Sequence, residues 1–146
     1  SFFHLFGLTR IFKNNKYVNE YKQYAVDPEI TGPAQALSGA AMMFRKQVYE
    51  KIGGFDEVFF MYGEDLDWSY RIKKAGWKII YCPFAKITHF KKQSGRANEN
   101  QELKKETQKH FYETMEIFYK KHYQNKYPRW LTGLIILAIE IKRRWS

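Results

Sequence analysis

The sequence predicts an α/β fold, and three observations carry that prediction. Two short stretches, 77–81 and 85–90, alternate with the two-residue period of a strand. Ahead of them, 64–75 carries carboxylates in its first turn and Arg71, Lys73 and Lys74 in its last, the charge order that a helix dipole favours. Gly76 follows as a stop, so the helix ends where the first strand begins. At 146 residues the chain has the length of one ordinary domain.

The elements follow in order. Residues 1–34 form an aromatic, basic lead-in, with turns at Asp27-Pro28 and Gly32-Pro33. Residues 35–44 read as a buried strand or strand-loop, closed by Arg45-Lys46, and 47–52 as a short helix stopped by Gly53-Gly54. An apolar, aromatic loop over 55–62 leads to Gly63 and the helix of 64–75. Strands over 77–81 and 85–90 flank Pro83, and 91–97 is a polar, basic loop. From 98 to 124 the pattern is helical, with Leu103, Thr107, Phe111, Met115, Phe118 and His122 on one face. Pro128 breaks the run. A last helix over 129–145 has an apolar middle and a basic end, Lys142-Arg143-Arg144. The chain therefore divides into 1–97 and a helical extension, 98–146.

Charge narrows the partners without choosing one. The net charge is +10, divided as +6 over residues 1–97 and +4 over 98–146, so it is spread and not gathered in a tail. A spread basic surface suits anionic partners: nucleic acid, anionic lipid or phosphorylated small molecules. No zinc-finger, RNP or helix-turn-helix signature supports nucleic acid. Cys82 is the only cysteine, which excludes an intrachain disulfide and a cysteine zinc cluster and fits a reducing cytosol. Aromatic residues make up 18% of the chain, a content shared by proteins that stack rings on sugars or sit at wet interfaces. The chain opens on apolar residues without Met or a secretory leader and reads as a piece of a longer protein.

The informative stretch is 37–94. It holds Leu37-Ser38-Gly39-Ala40, then Ile52-Gly53-Gly54-Phe55-Asp56-Glu57, then Phe59-Phe60-Met61-Tyr62-Gly63-Glu64-Asp65-Leu66-Asp67-Trp68. Ala75-Gly76-Trp77-Lys78-Ile79 and Ile87-Thr88-His89-Phe90 follow. In this order and spacing the stretch resembles the second half of family 2 glycosyltransferases, in particular their bacterial rhamnosyltransferase-like branch. The resemblance implies the C-terminal half of a GT-A (nucleotide-diphospho-sugar transferase) fold followed by C-terminal helices. It also implies inverting transfer of a sugar, rhamnose in that branch, from a nucleotide-sugar donor to a saccharide or lipid-linked acceptor in cell-surface polysaccharide synthesis.

Such a reaction needs a carboxylate to take the proton from the attacking hydroxyl and a cation to neutralise the departing diphosphate. The resemblance places the general base on Asp65, with Glu64 orienting the acceptor. Asp65 and Asp67 point about 200° apart around a helix, so they do not line one pocket. Asp67, four residues before Arg71, suits a surface or supporting ion pair. Trp68 either stacks on an acceptor sugar or packs as core. Gly39 and Ser38 allow close backbone approach to the sugar, on the acceptor and donor sides, or mark a tight packing position. Ser94 and Arg96, in the loop after the last strand, either touch the donor diphosphate or are solvated. His89, at the end of an alternating strand, is either a packed or solvated residue or, by the same resemblance, completes a divalent-metal site for Mg or Mn begun by an Asp-x-Asp motif in the first half. No Asp-x-Asp precedes Leu37, where the acids are Glu20, Asp27 and Glu29, so metal and donor binding require a missing N-terminal half.

The last helix adds a location. Its apolar middle is too short to span a bilayer, which takes about 20 residues, and Trp130 and Trp145 with Arg129 and Arg143-Arg144 bracket it like interface anchors. The expected place is cytoplasmic, peripheral on the inner face of the cell membrane. A buried packing helix or a homodimer contact are the other uses of the same pattern. Two rival functions remain: a non-catalytic basic module binding anionic lipid or nucleic acid, and a degenerate homologue kept for assembly.

Overall fold

The computed structural model describes residues 28–89 and 101–145, excepting the side chains of 101–104. The chain forms two compact units. One comprises the described residues up to Phe55 together with Asp65–Thr88; the other comprises Asp56–Glu64 and the described residues from His89 onward. The elements are β1 (Gly32–Pro33), α1 (Lys46–Ile52), α2 (Glu64–Lys74), β2 (Ile80–Tyr81), α3 (Gln101–His122) and α4 (Arg129–Arg144).

The first unit is built around α2. Val48 of α1, Trp68 and Ile72 of α2, and Ile79 form its buried core, with Leu37, Met42, Ile52 and Trp77 packed at the edges. The predicted stop at Gly76 has a full hydrogen-bonded form. Gly76, at φ 88°, donates its N–H to the Lys73 carbonyl, and the Trp77 N–H reaches the Ile72 carbonyl. That pairing satisfies the carbonyls a helix end otherwise leaves open, and it turns Trp77 back onto the core.

The strands are shorter than expected. β1 and β2 pair antiparallel, Gly32 opposite Tyr81 and Pro33 opposite Ile80, and the Ala34 N–H extends the ladder to the Ile79 carbonyl at 2.9 Å. Residues 35–44, read above as a buried strand or strand-loop, form no ladder; neither do 77–78 or 85–89. The reason lies in what binds 35–39. Asp65, Ser69 and Lys73, spaced four residues apart along α2, hold Gly39, Leu37 and Gln35, spaced two apart in the reverse direction. The steps match physically: four helical residues rise about 6 Å and two extended residues advance about 6.6 Å. Polar side chains of a helix thus do for this segment what a neighbouring strand would do, leaving no backbone ladder. Residues 85–89 are exposed and find no ladder partner among the described residues.

The second unit is a helical hairpin. The six residues between α3 and α4 include Pro128, whose carbonyl accepts the Thr132 N–H at the start of α4. The Tyr119 and Thr132 hydroxyls meet at 3.2 Å near the turn, while Lys105 and Lys109 line the same cleft as Arg143 and Arg144 at the far end. The helices therefore run antiparallel. Among the described side chains Thr107 and Thr114 are the buried ones of α3, and Ile139 is the buried residue of α4. Around α4 only one face is covered, so its apolar middle is two-sided. No helix among the described residues is long and apolar enough to cross a membrane.

Candidate active site

The acidic start of α2 follows two residues with left-handed backbone, Tyr62 at φ 67° and Gly63 at φ 81°. A bulky residue such as Tyr tolerates that conformation only where its surroundings hold it. The holding contacts come from α3. The Thr114 hydroxyl donates to the Met61 carbonyl at 3.0 Å, and Lys121 reaches the Asp56 carboxylate at 2.6 Å. Val58 also donates its N–H to Asp56 Oδ1, so the loop is tied at both ends. A Cβ on Gly63 would lie 2.2 Å from Thr114 Cγ2. Gly63→Ala is accordingly expected to lose about 2–4 kcal/mol in urea unfolding, since overpacking adds to φ strain. A loss below about 1 kcal/mol would show that the loop moves away from α3 at little cost.

Asp65 is half-buried, and both its oxygens accept backbone N–H groups: Oδ1 from Leu66 at 2.7 Å and Oδ2 from Gly39 at 2.9 Å. A carboxylate has about four lone-pair directions, so two bonds fix its orientation and leave acceptor capacity open. Gly39 and Ser38 are exposed in a turn in which Ser38 Oγ accepts the Ala40 N–H at 3.3 Å. The structure thus brings Ser38, Gly39 and Asp65 together within one unit. Glu64, at the other side of the unit division, has a buried Oε2 without a hydrogen-bond donor.

Asp67 is a different carboxylate. It is 0% exposed, and its Oδ2 accepts the Arg71 Nε–H at 2.7 Å. The pairing with Arg71 is found, but buried and not at the surface. Its reason is the end of α1. Arg71 Nη1 and Nη2 donate to the Ile52 and Gly54 carbonyls at 2.7 and 2.6 Å, and Trp68 Nε1 to the Gly53 carbonyl at 2.8 Å. Three successive carbonyls at the helix end are satisfied by two side chains of α2.

Trp68 thereby settles between the two uses weighed for it. It is 1% exposed, with the edges of Phe44 and Phe55 at 4.6 and 5.5 Å between centroids, so no ring face is left for a sugar. Placing Trp68 among acceptor-binding residues is corrected: one helical turn from Asp65, it is core. Ser69 and the carbonyls of 52–54 were not singled out by the sequence; a Ser four residues after an Asp on a helix is the only hint of the stripe that binds 35–39.

His89 is exposed. Among the described residues no three His, Cys, Asp or Glu side chains are grouped to hold a metal ion, so the described part makes no metal site by itself. Ser94 and Arg96 lie outside the described residues.

Residues 11–107 match the family described as Glycosyltransferase like family 2. Over 80 residues the chain is 39% identical to the N-acetylglucosaminyl-diphospho-decaprenol L-rhamnosyltransferase of Mycobacterium tuberculosis, which covers 55% of this chain and 26% of that protein. Over 60 residues it is 32% identical to the rhamnosyltransferase WbbL of Escherichia coli, covering 41% of this chain and 23% of that protein. The chain thus spans about a quarter of the length of these relatives. No solved structure matches. The family match takes in more than half of the chain, including all of the Ser38–Gly39 turn and α2, and the chain belongs to glycosyltransferase family 2 as a rhamnosyltransferase-like member.

Proposed function

We propose that this chain is the acceptor-side, C-terminal part of a GT-A catalytic domain, in an inverting transferase with Asp65 as general base. One observation carries the reading: of the two aspartates opening α2, Asp67 is sealed against Arg71, while Asp65 is accessible and oriented by two backbone N–H groups. In the reaction Asp65 takes the proton of the acceptor hydroxyl. The acceptor oxygen bonds to the anomeric carbon, and the carbon–oxygen bond to the nucleotide diphosphate breaks with its electron pair on the diphosphate. Glu64 orients the acceptor; a hydroxyl donor would satisfy its bare Oε2, an acceptor that costs about 1–3 kcal/mol while unpaired. Ser38 lies on the donor side of the same turn.

A divalent cation, Mg or Mn, would neutralise the leaving diphosphate, with His89 as the one ligand contributed from this segment. Exposed Met43, Phe84 and Ile87 in the first unit are the kind of apolar surface that the nucleotide-binding half of the domain would cover. The names of two relatives support rhamnose as the donor sugar, and that of the Mycobacterium tuberculosis protein supports a lipid-linked acceptor; an acceptor of that kind suits action at the inner face of the cell membrane. The full-length protein, incubated with nucleotide-activated rhamnose and a saccharide acceptor, should give a product with the opposite anomeric configuration to the donor by NMR. A product of retained configuration would overturn the assignment of Asp65 as base.

A further inference from the structure

The apolar residues of α4 divide into two faces, and only one is covered. Ile139 is buried in the second unit. On the opposite side Trp130, Leu134, Leu137, Ile141 and Trp145 are 68%, 54%, 52%, 49% and 87% exposed. Their spacing of four, three, four and four residues keeps all five within an arc of about 80° at 100° per residue. The stripe runs the length of a helix about 24 Å long, with a Trp at each end. Arg129 precedes it, and Lys142 and Arg144 flank its far end, none with an ion-pair partner among the described side chains.

We infer that α4 docks on an anionic lipid surface, lying in the bilayer plane with the Trp130–Trp145 stripe buried among the headgroups and its Ile139 face on α3. The inference deepens the membrane placement proposed above, and it does not depend on which sugar is moved. Three observations select lipid as the occupant. The helix is too short to cross a bilayer, so it lies flat. Trp side chains at both ends match the wet boundary of a headgroup layer. Four of the five charged residues of the helix are basic, Arg129, Lys142, Arg143 and Arg144 against Glu140, on a chain of net charge +10. A second copy fits poorly: two stripes paired antiparallel would set Arg129 of one beside Lys142 and Arg144 of the other, and parallel pairing would set like beside like.

Co-sedimentation of the 146-residue chain with vesicles of phosphatidylcholine, with and without phosphatidylglycerol, tests this. Binding to the anionic vesicles should be about tenfold stronger or more and should fall with added salt. Leu134→Glu/Leu137→Glu should weaken it by about tenfold or more, because the stripe no longer enters the interface. Gln124→Glu/Asn125→Glu carries the same charge change in the exposed turn outside the stripe and should retain most of the binding. All four substituted side chains are exposed, and circular dichroism checks that the helices persist. Equal binding of the two variants, or equal binding to neutral and anionic vesicles, would overturn the proposal. So would a dimer, seen by light scattering, that the stripe variant abolishes while the unsubstituted chain ignores vesicles. Vesicle binding without sugar transfer by the full-length protein would overturn only the catalytic reading.

Discussion

Asp65→Asn in the full-length transferase should lower kcat by about 10²–10⁴-fold, the usual effect of removing a general base. The KM for the nucleotide-sugar should stay nearly constant, because the amide keeps the shape of the carboxylate and its Oδ can still accept the Gly39 N–H. What is lost is basicity at the moment the acceptor hydroxyl attacks, an interaction absent from the ground state. The control is Asp67→Asn. Its carboxylate is sealed from solvent, so any loss of turnover should track the fraction of folded protein and not the chemical step. Single-turnover rates on folded material separate the two. A folded Asp67→Asn enzyme slowed more than Asp65→Asn would mean that the wrong aspartate has been chosen.

Much of this site could be read from residue order, and the reasons are local. Gly53, Gly63 and Gly76 mark their turns because the backbone there takes φ between 74° and 88°. The first and last turns of α2 declare themselves through charge, and its observed bounds, Glu64–Lys74, fall within one residue of those expected. The unequal surroundings of Asp65 and Asp67 follow from 3.6 residues per turn. What stayed hidden depends on contacts far apart in sequence. Residues 35–39 fall in a stretch that reads as a buried strand or strand-loop, but their partners are Asp65, Ser69 and Lys73, 26 to 38 residues away. Trp68 could not be sorted into site or core until the carbonyl of Gly53 was found to accept its indole N–H. Likewise the apolar run of α4 shows no sidedness by composition; its two faces appear only once Ile139 is seen to be buried.

The buried Asp67–Arg71 pair gives the largest expected effect on stability. Asp67→Ala should destabilise the first unit by about 3–5 kcal/mol, the range for leaving one member of a buried ion pair uncompensated. The guanidinium would keep its bonds to the Ile52 and Gly54 carbonyls, but with no carboxylate against its Nε–H. Arg71→Lys should also be costly, because an ammonium cannot reproduce a planar fork that meets a carboxylate and two carbonyls at once. Replacing both members, Asp67→Ala with Arg71→Met, should cost clearly less than the sum of the two single losses, since no unpaired charge remains. Urea unfolding of the unsubstituted protein, Asp67→Ala, Arg71→Met and the double variant closes the cycle. If Asp67→Ala cost only the 0–1 kcal/mol of an exposed pair, the residue would be a surface charge after all, and α2 would not depend on it to hold the end of α1.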